Sequence, residues 1–147
     1  MFGLKKPSLT LRITITKSIG ALVGLTGVIV IPLYYPAANW QFLLGILFWY
    51  TMLGAFIGLA GAFNWHKIVN MPLAWWFRGP VYGAFWNLLL VLLMPEKLSE
   101  IIKMVDFVNL VSPWWFLVEG AIIGFIMDWA ATRFAGEGRQ CVEQRPV

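Results

Sequence analysis

Residues Pro113–Phe134 read PWWFLVEGAIIGFIMDWAATRF, a run long and apolar enough to cross a bilayer that nevertheless carries Glu119 and Asp128. A hydrocarbon core of about 30 Å needs roughly 20 helical residues, and this stretch supplies them. The rest of the chain has the same character. Of its 147 residues, 60% are hydrophobic and 12% charged, with a mean hydropathy of +0.75. A soluble domain of this length needs far more polar surface to cover its core. The nine Trp fall mostly near the ends of apolar runs, as in interfacial belts.

Four apolar segments are expected to form an all-α, four-helix transmembrane bundle over residues 18–133. They span about 18–33, 41–63, 80–94 and 113–132. Residues 1–17 read as an amphipathic cytoplasmic segment, and 134–147 as a polar, mobile cytoplasmic tail. The third helix is placed from Pro80, because proline suits a first helical turn. The stretch SLTLRITIT alternates as a strand would, but a lone strand has no partner, so it reads as entry to the first helix. In PEKLSEIIKMVDFV, Leu98, Ile101, Ile102, Val105 and Val108 follow helical spacing opposite Glu96, Lys97, Glu100, Lys103 and Asp106. That pattern predicts a short amphipathic helix on the outer membrane surface.

The net charge of +4 does not indicate a nucleic-acid partner, because the basic residues sit at segment ends rather than on one face. With the N-terminus inside, Lys5, Lys6, Arg12, Lys17, Lys67, Arg78, Arg133, Arg139 and Arg145 are cytoplasmic, and only Lys97 and Lys103 are external. The positive-inside rule therefore places both termini in the cytoplasm of a plasma or inner membrane. The single cysteine, Cys141, excludes an internal disulfide. His66 reads as an interfacial side chain. No nucleophile–base pair, phosphate loop or metal-ligand spacing is present, so neither enzyme chemistry nor a cofactor or metal is expected.

Lipid tails are as apolar as leucine, so membrane helices associate through close backbone approach or interhelical hydrogen bonds. Three helices carry the required small-residue seam, in the pairs Gly20/Gly24, Gly54/Gly58 and Gly120/Gly124. The third helix, begun at Pro80, lacks one and offers Trp86 and Asn87. Phe48–Gly58 also resembles Trp114–Gly124 at an offset of 66, as parallel repeats would, although the first and third segments do not align convincingly. In that repeat Glu119 takes the place of Leu53.

Pairing the antiparallel third and fourth segments by depth sets Asn87 opposite Glu119 and Arg78 opposite Asp128. Nine residues at about 100° each leave the two acids half a turn apart, so one must be bridged by another helix or rescued by irregularity near Gly79-Pro80. Tyr50, Thr51 and Thr26 lie at suitable depth for that. A central acid costs about 2.5–3.5 kcal/mol, whereas a typical interhelical hydrogen bond returns about 0.6 kcal/mol. Asn87 alone therefore cannot sustain an ionised Glu119. The composition favours a non-catalytic accessory or scaffolding subunit, acting in the bilayer as a homo-oligomer or with a larger membrane partner. The alternative is a small oligomeric proton-coupled transporter or channel with Glu119 as its titrating site.

Overall fold

The computed structural model describes residues 7–63, 65–66, 71–105 and 112–142, apart from the side chains of His66, Met104, Val105 and Gln140. The expectations for Lys5, Lys6, Lys67, Asp106, Val108 and Arg145, and for the His66 side chain, fall outside the described residues. The described residues form five α-helices: α1 (Leu9–Tyr34), α2 (Trp40–Ala60), α3 (Trp75–Leu93), α4 (Pro95–Val105) and α5 (Trp115–Ala135). A two-stranded antiparallel ladder, β1 (Trp65–His66) with β2 (Met71–Pro72), lies between α2 and α3. Three helices (α1, α2 and α5) are long and apolar enough to cross a membrane. A fourth span arises if α3 and α4, bent by 98°, are taken as one broken span. Among the described residues the regular structure is thus helical apart from that ladder, with three to four membrane-spanning candidates.

The alternating SLTLRITIT is helical. The Ser8 hydroxyl accepts from the Leu11 amide, capping a helix whose buried residues are Arg12, Thr16, Gly20 and Gly24. Four-residue steps put these on one stripe. Leu22, Ile29 and Leu33 are exposed on α1. Polar and small groups inside with leucines outside is the arrangement expected in lipid, where only close contact holds helices together.

The long helices form two antiparallel pairs. On α1, a Cβ at Gly20 would strike the Tyr50 carbonyl, and one at Gly24 would reach the Leu47 backbone at 2.8 Å. From α2, Gly54 and Gly58 meet α1 at Thr16 and Ile13. The second pair is α3 with α5, where Gly79 and Gly83 abut the backbones of Gly124 and Gly120. The third helix therefore does carry a seam. It begins at Trp75 rather than Pro80, with the Phe77 and Arg78 amides both donating to the Ala74 carbonyl. Gly79 thereby joins Gly83 on one face.

The two pairs share a build. The helices α1 and α3 begin 66 positions apart, as do Ile13 and Gly79, Gly54 and Gly120, and Gly58 and Gly124. Ile13 meets Gly58 as Gly79 meets Gly124. The repeat suggested by α2 and α5 thus extends to their partner helices, although α1 and α3 share little sequence. Between the pairs lies a core of Ile46, Tyr50, Leu53, Ile57 and Met127.

At the other end Met94 closes α3, and Pro95 starts α4 at about a right angle. This helix turns Leu98 and Ile101 onto the bundle and leaves Glu96, Lys97, Glu100 and Lys103 exposed. The segment after α5 folds back too. Gly136, at a positive φ of 77° that favours glycine, ends the helix and packs on Pro7. The Gly138 amide then donates to the Gly61 carbonyl at 2.9 Å, and Cys141 is buried. Residues 136–142 are accordingly part of the packed structure.

Replacing Gly83 by Val should force α3 from α5, because the added carbon meets the Gly120 carbonyl. An overpacking cost of about 1–3 kcal/mol is expected as a lowered thermal midpoint in detergent. Gly45→Val is the control, since nothing lies within 4 Å of that position.

Candidate functional site

The polar residues separate into a closed ionic cluster and a carboxylate facing a cavity. The cluster forms where the start of α1, the end of α2, the start of α3 and the end of α5 meet. Asp128 is fully buried there between Arg12 and Arg78, both also fully buried. Arg78 grips it with two bonds, Nε to Oδ2 at 2.8 Å and Nη2 to Oδ1 at 2.9 Å. Arg12 Nη2 reaches Oδ1 at 2.5 Å. The remaining guanidinium donors are also used. Arg12 Nε donates to the Gly58 carbonyl at 3.3 Å, and its Nη1 donates to the Thr132 hydroxyl and the Gly136 carbonyl. Arg78 Nη1 donates to the Leu73 carbonyl at 3.1 Å. Glu137 accepts from Arg78 Nη2 at 3.3 Å and balances the second positive charge. Three buried charges, with their donors satisfied and the partly exposed Glu137 as second anion, make the burial tolerable.

Arg12 and Glu137 were not singled out by the sequence reasoning. Arg12 looked like one more charge at a segment end, and Glu137 lay in an expected tail. A usable signal existed, since Arg12 precedes Arg78 by the same 66 positions that relate the glycine seams.

Nearer mid-bundle, Asn87 does not bond Glu119. Its Nδ2 donates to the Phe116 carbonyl at 2.8 Å, and its Oδ1 accepts from Trp49 Nε1 at 3.2 Å. Glu119 is reached instead from α2, by the Tyr50 hydroxyl at 3.1 Å, and Asn87 Nδ2 approaches that hydroxyl at 3.5 Å. The expected third partner is therefore Tyr50. Thr51 and Thr26 bond carbonyls of their own helices, Leu47 and Leu22. The glycines Gly20, Gly24, Gly54, Gly58, Gly120 and Gly124 are all consumed in contacts within the chain.

Glu119 and Tyr50 line a cavity of about 400 Å³, within the range of roughly 300–1,000 Å³ common to small-molecule sites. Its walls come from α1, α2, α3, α4 and α5, and Leu98 and Ile101 of α4 form one side. No Lys, Arg, His or Asp lines it among the described residues. No group of three or more His, Cys, Asp or Glu suited to a metal ion occurs among the described residues. Comparison with protein families, curated proteins and solved structures returns no match for this chain.

Replacing Asp128 by Asn leaves two buried guanidinium groups facing one another. A destabilisation of about 3–5 kcal/mol is expected from breaking such a cluster, read by unfolding in detergent. Unchanged stability would contradict a fully buried cluster. Burial pushes the Cys141 thiol above its ordinary value. The folded state therefore favours the neutral thiol, and the contribution is full below about pH 8.5 and lost as pH rises past the raised value. At neutral pH, maleimide should modify Cys141 far more slowly in the folded than in the denatured protein.

Proposed function

We propose that this chain is a small multi-pass membrane protein of the binding or transport type, with Glu119 as its proton-exchanging group. The observation that supports this most is a division of labour between the acids. Asp128 is surrounded by guanidinium donors and a neighbouring hydroxyl. Glu119 has the Tyr50 hydroxyl as its hydrogen-bond partner and stands in a cavity wall. Helix adhesion is supplied elsewhere, by the glycine seams, by Asn87 on the Phe116 carbonyl, and by the Arg12–Asp128–Arg78 cluster. An acid in hydrocarbon whose tie to a second helix, among the described residues, is a single hydroxyl contact is a functional candidate.

The surroundings suit a group that changes charge. The hydroxyl-bearing rings in the cavity wall are Tyr50 and Tyr34, while Lys97 and Glu100 lie on the outward side of α4. With no fixed cation among the lining residues, the charge on Glu119 is set by proton or ligand occupancy. The reading puts α1, α2, α5 and the bent α3–α4 pair in a plasma or inner membrane. Arg12, Arg78, Arg133 and Arg139 share one end, and Lys97 and Lys103 belong to α4 at the other. The positive-inside rule then sets the ionic cluster and both chain ends toward the cytoplasm, with α4 at the outer interface. A scaffolding role would draw on the same glycine seams, but the chain's own helices fill them. A second copy or a partner would therefore need another face.

Glu119→Gln tests the reading. In a pH-jump experiment on the purified protein, the variant should take up one proton fewer than wild type and keep its thermal midpoint. Equal proton uptake would remove the basis of the proposal. A midpoint lowered as far as that of Asp128→Asn would reassign Glu119 to helix packing.

A further inference from the structure

Resting on the reading of Glu119 just given, we propose that the cavity binds an amphiphilic organic cation, an ammonium head on an apolar body, beneath α4 as a lid. The lining supplies both halves of such a ligand's recognition. Tyr34, Phe42, Tyr50 and Phe116 contribute four aromatic rings to a lining that holds one carboxylate, Glu119. Ring faces carry negative potential and attract cations, most strongly away from water, and aromatic surroundings are the usual recognition for quaternary ammonium groups. One of these rings already holds a cation, since Lys97 Nζ lies 5.6 Å from the centroid of Phe42. The remaining wall is aliphatic, including Val23, Ile31, Ile46 and Leu90. An anionic head would meet Glu119 with no compensating cation in the lining. A neutral amphiphile would leave Glu119 protonated and gain nothing from its charge.

The lid follows from how α4 is held. Leu98 and Ile101 line the cavity, and Leu98 packs on Leu90 and Val91; the polar tie from α4 to the loop end of α1 among the described residues is the Tyr35 hydroxyl donating to Glu100 Oε2 at 3.2 Å. Loss of solvent and the neighbouring Glu100 charge push the Tyr35 hydroxyl upward from its ordinary value, so the donating form persists across the neutral range. Entry of an ammonium group exchanges one charge for another. The Glu119 proton leaves to water, the carboxylate pairs with the cation, and the cavity stays neutral.

The test uses the full-length protein in neutral-lipid nanodiscs with decyltrimethylammonium, decanol and decanoate as probes. Binding is followed by calorimetry, and proton release by a pH dye in weak buffer. Wild type should bind the trimethylammonium probe at least about tenfold more tightly than decanol, bind decanoate weakest, and release one proton per bound cation. Glu119→Gln should bind cation and alcohol alike and release none. Val23→Phe, which fills the cavity, should weaken all three probes while Glu119 still titrates in the pH jump. Tyr35→Phe should speed binding and release together without changing head-group preference. Equal affinity of wild type for the cation and decanol, or proton release that persists in Glu119→Gln, overturns the ligand assignment. If Glu119 titrates in the pH jump and the cation still shows no preference, the ligand class falls and the proton-exchanging role stands. If Glu119 does not titrate, both fall.

Discussion

A carboxylate buried away from water must be neutralised where it stands, and the arrangement at Asp128 follows from that requirement. Each ion taken into an apolar interior costs several kcal/mol unless partners replace the lost water. Asp128 obtains its partners from α1 and α3, the first helices of the two pairs, while Gly58 of α2 and Glu137 beyond α5 complete the shell. The cluster therefore sets which ends of the four long helices meet and at what register. It also explains why the residues after α5 return to the bundle. Glu137, partly exposed, offsets the net +1 that the buried Arg12, Arg78 and Asp128 carry.

Away from that end, a different force holds the structure. Hydrophobic association is unavailable between helices in lipid, so each pair is closed by backbone contact along glycine seams. The same geometry is made twice at one spacing, with Ile13 and Gly79, and Gly54 and Gly120, in equivalent places. Departures from the repeat are then informative. Position 53 in the first pair is a fully buried leucine, whereas its counterpart in the second is Glu119, beside a cavity and a tyrosine from the opposite pair. The two pairs thus share a framework and differ at this position, where the proposed proton-exchanging group stands.

The membrane character, the seams on α1, α2 and α5, and the opposition of Arg78 to Asp128 were readable from hydropathy and spacing, because each depends on one or two helices. Arg12 was not, since a basic residue near an apolar segment is ordinarily a topology signal. Only its equivalence to Arg78 in the repeat distinguishes it. The start of α3 was misjudged because Pro80 is a good first-turn residue in isolation. The contacts of Arg78 and Gly79 outweigh that local preference and extend the helix back to Trp75. Likewise, depth alone paired Asn87 with Glu119. Helix rotation turned Asn87 toward Phe116 and opened Glu119 to Tyr50 on a third helix. Contacts among three or more helices exceed what pairwise spacing can report.

The central claim is that a shared buried anion fastens the two glycine-seamed pairs at one end. Disulfide cross-linking between cysteines placed at Ser8 and Ala135, in a Cys141→Ala background in native membranes, measures this directly. The Ser8 amide lies 3.2 Å from the Ala135 carbonyl. The account predicts rapid cross-linking with Asp128 present and a marked loss when Asp128 is replaced by Asn. Cross-linking that proceeds equally in both, or in neither, would contradict it.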